Sequence, residues 1–208
     1  MSLAPLIEQG LRAMGIDLHE ASRARMAAHL QLIEKWNRVH NLTAVRETEQ
    51  MVVLHLLDSL SLLPHLGDAK SVIDVGSGPG FPGVPLAIAC PELRFTLLDS
   101  SHKKCTFLEQ AKTELGLANA AIVCARVEQF KPAQRFDVVV SRAFAELSDF
   151  VTQSQHLAAP GGRFLAMKGV YPFEEIARVP VSHRVAQVVE LAVPTLEAKR
   201  HLVLLEAA

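Results

Sequence analysis

Ser71–Gly83 reads SVIDVGSGPGFPG. Val72 to Val75 form a short apolar run that ends in a cluster of glycines, and Leu86 to Cys90 resume the apolar character. That order predicts a strand, a tight Gly-rich turn and a helix. Glycine carries no Cβ, so such a turn adopts positive φ and lets a ligand approach the backbone closely. The helix behind it offers free N–H groups to whatever sits there. The stretch reads as a cofactor loop, and the rest of the chain must say which cofactor.

Downstream of the loop, strand and helix alternate. Strands are expected at Ser71–Val75, Arg94–Leu98, Ala121–Cys124, Phe136–Val140 and Arg163–Met167, and helices at Val84–Cys90, His102–Leu115, Val127–Phe130 and Leu147–Ala158. Alternation of this kind argues for a parallel sheet covered by helices on both faces. Two further apolar runs, Arg184–Val193 and His201–Glu206, are joined by only Pro194 to Arg200. So short a link cannot make a parallel crossover, so these two runs are expected to pair as an antiparallel hairpin. The fold class is α/β, a Rossmann-like, seven-stranded and mostly parallel sheet of the class I methyltransferase type.

Upstream, the chain is helical in character. Met26, Leu30 and Ile33 recur at i, i+4, i+7, with Leu32, Trp36 and Val39 as a second row, and Asp17 with Glu20 resembles a capping box. A second amphipathic helix is expected from about Glu49 to Leu63, with Val52, Val53, Leu56, Leu57 and Leu60 inward, ended by Pro64 and Gly67. Residues 1–67 therefore read as a helical extension packed on a core of residues 68–208.

Composition narrows the functional classes. Of 208 residues, 50% are apolar and 21% charged, which fits a globular domain large enough to bury a core. No apolar run approaches the roughly eighteen residues of a membrane span, and MSLAPLIEQG lacks the basic start of a secretory signal. Cys90, Cys105 and Cys124 are odd in number and far apart, so they read as reduced, mostly buried thiols of a cytoplasmic protein. Nine histidines include no HxH or HExxH pair. His55 and Asp58 at i, i+3 are too little for a metal site. The net charge of −1 offers no overall basic excess for nucleic acid, so any such role needs a local patch.

In an open parallel sheet, ligands bind outside the carboxyl ends of the strands. Asp74 and Gly76 close the first strand, Asp99 the second, Arg126 the third, Arg142 the fourth and Lys168 the fifth, while Arg200 opens the last. Four cations and two acids are thus expected on one rim. An ordinary surface ion pair explains any one of them about as well as function does; it explains all six together much less well.

Gly78, Gly80 and Gly83 spell GxGxxG, which alone is weak evidence for a dinucleotide. Asp74, read as standing at the lip of the loop, would repel a pyrophosphate but suits the sulfonium and ammonium of S-adenosyl-L-methionine. Asp99 can accept both ribose hydroxyls in either case. No Lys-Ser or Lys-Thr follows, so this is no Walker loop. S-adenosylmethionine leads and a nicotinamide cofactor is second.

The chain also resembles a known family, the bacterial 16S rRNA guanine-N7 methyltransferases called small-subunit methyltransferase G or glucose-inhibited division protein B. The likeness rests on KWNRVHNLT at Lys35–Thr43, HLLDSL at His55–Leu60, DVGSGPGFPGVPLA at Asp74–Ala87 and LLDSSHKK at Leu97–Lys104. It continues through ARVEQF at Ala125–Phe130, SRAF at Ser141–Phe144, MKG at Met167–Gly169 and KRHLV at Lys199–Val203. The resemblance implies a cytoplasmic enzyme that methylates N7 of a guanine in the 530 loop of 16S rRNA. Its partner would be the rRNA or a small-subunit assembly particle, and it would act as a monomer without metal or membrane.

By that likeness Gly76, Ser77, Gly78 and Phe81 line the methionine part of the cofactor, Asp99 holds the ribose, and Arg126, Val127 and Glu128 flank the adenine. Asp74, Ser100, Ser101 and Arg142 are expected among the cofactor-binding residues as well. Asn41, Arg142, Lys168 and Arg200 form the catalytic and RNA-facing group. Asn41 either hydrogen-bonds the base or only ends the helix before it. Three readings compete: a methyltransferase for another RNA, a small molecule or a protein, a nicotinamide oxidoreductase, and a non-catalytic assembly factor.

Overall fold

The computed structural model describes residues 3–142, 144 and 146–208. Two helices open the chain, α1 (Ala4–Ala13) and α2 (Glu20–His40). The next helical run comes in three pieces: α3 (Thr48–Met51), a π-helical stretch over Val52–Leu57, and α4 (Asp58–Leu60). Then follow β1 (Ser71–Val75), α5 (Gly83–Ala89), β2 (Arg94–Asp99), α6 (His102–Leu115) and β3 (Ala120–Cys124). The chain continues through β4 (Phe136–Ser141), α7 (Leu147–Ser154), β5 (Ala158–Lys168), α8 (Phe173–Ala177), β6 (His183–Glu190) and β7 (His201–Ala207).

The strands form one sheet in the order β3-β2-β1-β4-β5-β7-β6. β1 to β5 run parallel, and β7 lies antiparallel between β5 and β6, so the expected terminal hairpin and fold class hold. The period of two along a strand sorts the core into two layers. Val72 joins Leu97, Val138 and Leu165 on one face, buried with Met26, Leu30, Leu56, Leu86 and Phe107. Ile73 and Val75 join Leu98, Val139 and Phe164 on the other, beneath Phe150 and Val151 of α7. The N-terminal helices therefore share a face with α5 and α6. Met26, Leu30 and Ile33 carry α2 onto that face with no exposed surface, and truncating such a side chain typically costs about 2–5 kcal/mol. Trp36 extends the anchor, its ring edge-on to Phe107 of α6 at 5.5 Å.

Several local expectations are corrected. The residue preceding α2 is His19, with no side-chain cap, so Asp17 and Glu20 make no capping box. The helix expected from Glu49 is interrupted by its π stretch, and Val127–Gln129 is a single 3-10 turn. The strand begun near Arg184 ends at Glu190, short of Val193. Cys124 is exposed rather than buried. No described helix is long and apolar enough to cross a membrane.

The order reverses at β1, between β2 on one side and β4 on the other. A crevice opens outside the carboxyl ends of strands that flank such a reversal. The loop after β1 and Arg142 after β4 both lie there.

Candidate active site at the carboxyl edge of the sheet

The loop after β1 is held mostly by its own backbone. Gly76 and Ser77 donate N–H groups to the Leu98 carbonyl at 2.8 and 3.1 Å. Gly76, Gly78 and Gly80 have φ of 77°, 58° and 97°, the left-handed region that glycine tolerates. Pro82 caps α5 and Pro85 sits in its first turn, where the missing N–H costs nothing. Gly83 permits the closest approach: a Cβ there would overlap Leu97 and stand 2.8 Å from Asp74 Oδ2.

Asp99, expected to hold the ribose, is fixed by its neighbours. Its Oδ2 accepts the Gly78 N–H and its Oδ1 the Ser101 N–H, both at 2.9 Å, and Lys104 Nζ lies 3.5 Å away. A carboxylate has about four acceptor directions, so capacity remains for hydroxyl groups. Asp99, Gly76, Ser100, Arg126, Val127 and Glu128 together line a cavity of about 310 Å³, completed by Lys104, Phe144 and Gln153 among others. This gathers much of the expected cofactor set. Arg126 is largely exposed and pairs with Glu128 at 3.9 Å. The positive-φ cradle and the buried acceptor beneath it fit an adenosyl group.

Three expected cofactor residues lie deeper. Asp74 is fully buried, not at the lip. In β1 its side chain shares the face of Val72, towards α5, and Oδ2 accepts the Gly83 N–H at 3.0 Å. Burial pushes its pKa up to about 7, opposed by that N–H. The repulsion argument against a pyrophosphate therefore fails. Ser77 spends its hydroxyl on the Asp74 carbonyl at 2.9 Å. Phe81 lies under the neighbouring cation cluster, its ring 4.8 Å from His55 and 5.2 Å from the Arg142 guanidinium carbon.

That cluster is the second half of the site. Arg142 Nη1 lies 3.3 Å from the Leu54 carbonyl, 3.3 Å from His55 Nδ1 and 3.4 Å from Asp58 Oδ2. Arg200 Nε stands 3.4 Å from Asp58 Oδ1. Two arginines, from the ends of β4 and β7, thus converge on one carboxylate whose side chain is 3% exposed. Burial raises the pKa of Asp58, and Arg142 and Arg200 pull against it. His55 Nδ1 lies 2.9 Å from the Leu54 carbonyl, which only accepts, so Nδ1 carries the proton and donates there, while Nε2 accepts from the Thr43 hydroxyl at 2.9 Å. Burial, followed by Arg142, lowers His55 to about 4, so the ring is neutral at pH 7. With one carboxylate against two guanidinium groups, the cluster keeps a positive excess.

The other two expected residues sit differently. Lys168 Nζ pairs with Glu175 Oε2 at 2.7 Å and donates to the Phe144 carbonyl at 3.2 Å, with 11% of its side chain exposed. Asn41 closes α2 at φ 48°, and its Oδ1 accepts from Arg46 at 3.0 Å. It does end the helix. Ala143 of the SRAF segment lies outside the described residues.

Sequence reasoning missed His55 and Asp58 as site residues, having weighed them only as metal ligands; among the described residues no group is placed to hold a metal. The signal was their position on one helix face within HLLDSL. π-Helical turns recur at functional sites, and this one brings the Leu54 carbonyl, His55 and Asp58 to one guanidinium. His29 was missed as well. Fully buried, it places Nε2 2.9 Å from the Pro79 carbonyl and so ties α2 to the glycine loop.

Comparisons with known proteins bear on the family and the fold. The family model for rRNA small subunit methyltransferase G matches residues 22–203. The chain is 54% identical to the Ribosomal RNA small subunit methyltransferase G of Aromatoleum aromaticum, over 98% of each chain. It is 48% identical to that of Nitrosospira multiformis, covering 100% of this chain and 99% of the relative. In fold it is similar to the O-methyltransferase TomG from Streptomyces achromogenes, solved with SAM (TM-score 0.60, 15% identity, 92% and 91% covered). The glycopeptide N-methyltransferase MtfA superposes with a TM-score of 0.65 at 12% identity, covering 78% of this chain and 100% of that one. The chain belongs to the rRNA small subunit methyltransferase G family.

Proposed function

We propose that this protein transfers the methyl group of S-adenosyl-L-methionine to N7 of a guanine in the 530 loop of 16S rRNA. It acts in the cytoplasm as a monomer, on the rRNA or on a small-subunit assembly particle. The observation that carries the reading is the placement of Arg142. It ends β4 at the sheet's reversal, next to the glycine loop, and is held with Arg200 on Asp58.

Guanine N7 already exposes a lone pair, and the cofactor, when bound, supplies a methyl group activated by its sulfonium. No general base is required. The protein's task is to hold the acceptor in line, a contribution of roughly 7–11 kcal/mol in favourable cases. Asp99 and the close-lying backbone of the glycine loop bind the donor side. A guanidinium cannot serve as a general base; Arg142 and Arg200 offer forks to guanine O6 or a flanking phosphate. The Leu54 carbonyl and the buried Asp58 orient Arg142. Stacked RNA hides N7 sterically, so the target base must be looped out to reach this edge.

The test is to map N7 methylation on 16S rRNA from a strain lacking this protein and from the complemented strain. The modification should vanish in the first and return in the second. A guanine that stays methylated without the protein would overturn the reading. Transfer of labelled methyl to total RNA and not to extract protein excludes the protein-substrate alternative.

A further inference from the structure

We infer that Tyr171 and Phe173 form an aromatic shelf on which an unpaired rRNA base, a neighbour of the methylated guanine, stacks. The inference rests on the rRNA reading above and adds to it a contact with the base face. After β5 the chain swings out through Gly169–Pro172 into α8, and that turn exposes Val170 by 78%, Tyr171 by 41% and Phe173 by 73%. Contiguous exposed apolar surface of this kind marks an interaction site. The rings of Tyr171 and Phe173 stack on one another, centroids 4.2 Å apart and tilted by 38°, so Tyr171 backs the more exposed Phe173 ring.

Its position ties the shelf to the reaction. The Tyr171 ring packs edge-on to His201 at 5.6 Å, and His201 follows Arg200. A Cβ on Gly169 would stand 4.0 Å from Arg200 Nη1, so the base of the shelf abuts the guanidinium that reaches Asp58. The root is firm. Lys168 pairs with Glu175 of α8, and the Leu147 N–H donates to the same carboxylate at 2.9 Å. Lys168 also bonds the carbonyl of Phe144, which lines the cofactor cavity. The surface therefore continues from donor cavity to cation cluster to shelf.

Charge complementarity selects the occupant. The arginines, engaged with Asp58, can take phosphate or guanine O6 through their N–H groups, which leaves the face of a splayed base to the exposed rings. Proteins that recognise single-stranded RNA put aromatic rings beside such cations, and each stacked base contributes enough to matter. A ribosomal protein covering the same patch is the rival occupant, and the test separates the two.

Steady-state methyl transfer is measured on a protein-free 16S rRNA fragment containing the 530 loop and on small-subunit particles, for wild type, Phe173→Ser, Tyr171→Ser/Phe173→Ser and Phe173→Trp. Both serine variants should raise KM for RNA, the double variant by roughly tenfold or more, with kcat and the Kd for S-adenosylmethionine unchanged. Phe173→Trp should restore KM, and its emission should be quenched by the RNA in a Trp36→Phe background. Phe173 is largely exposed, so its variants fold. Unchanged KM in the serine variants with wild-type transfer intact would overturn the shelf alone. Loss of activity only on ribosomal particles would overturn it in favour of a protein contact. Absence of wild-type transfer to any rRNA would overturn the underlying reading and the shelf with it.

Discussion

The cofactor cradle and the cation cluster share one edge of the sheet, yet they are built from different material. The cradle is backbone, three glycines at positive φ with N–H groups fixed on Leu98 and Asp99. The cluster is side chain, with Arg142, Arg200, Asp58 and His55 drawn from three distant parts of the sequence. Each half also buries a carboxylate, and the two are treated differently. Asp74 beneath the cradle has one backbone N–H and, among the described residues, no ion-pair partner, while Asp58 in the cluster lies between two guanidinium groups. A backbone cradle binds by shape and resists substitution. A charge cluster binds by field and orientation and is exposed to single changes.

If the halves are separable, damage should cross over cleanly, and this is the largest effect expected. Arg142→Ala should reduce kcat/KM for rRNA by about 10²- to 10³-fold, the range for losing one partner of a hydrogen-bonded charge pair. The cofactor Kd from calorimetry should stay within about threefold. Asp99→Ala should do the reverse, weakening cofactor binding by about 10- to 100-fold through lost charge-assisted hydrogen bonds while RNA affinity holds. Equal loss of cofactor in both variants would erase the distinction.

The carboxylates extend the comparison to stability. Burial puts the Asp74 pKa at about 7, against about 3.9 in an unfolded chain. A raised folded value means that its contribution is complete below about pH 4 and is lost as pH rises towards 7. Asp74→Asn keeps a carbonyl for the Gly83 N–H and cannot ionise. Its stability advantage in urea unfolding should therefore open between about pH 4 and 7, to something on the order of 2–4 kcal/mol, and then level off. His29 and His55, both lowered to about 4 chiefly by burial, act in the opposite sense. Their contribution is present above about 6.5 and is lost as pH falls towards 4; it cancels in the difference between the two proteins. A pH-independent difference would mean that Asp74 is already ionised at low pH.

The same contrast explains what could be read from the sequence. The cradle is local: strand, glycines, helix and the acid ending β2 fall in order within Ser71–Asp99, so their chemistry is visible as a motif. The cations at strand ends were visible too, because a parallel sheet puts all carboxyl ends on one edge. Their partners were not. Whether Lys168 faces phosphate or Glu175 depends on α8, a five-residue helix with no strong periodic signal. Asp74 was misplaced because alternation along β1 gives its side chain to the α5 face, and only Gly83 makes room for it there. Asp58 and His55 were hidden in an apolar helix whose π turn sets their direction, and composition carries no mark of that turn.

The smallest effect probes what Asp58 does for the cluster. Asp58→Asn leaves Arg142 and Arg200 facing one another without the carboxylate. Breaking a fully buried pair costs about 3–5 kcal/mol, but these arginines keep 25% and 22% of their side chains in solvent. Screening discounts the loss to about 1–2 kcal/mol. Combining it with Arg142→Met removes one of the opposed cations along with the acid. The double variant should then be less destabilised than the sum of the singles, by about 0.5 kcal/mol or more in a double-mutant cycle. Strict additivity would mean that Asp58 is held by Arg200 alone. The cluster would then be one ion pair beside an independent arginine, and Arg142 would take its aim from Leu54 and Phe81 instead.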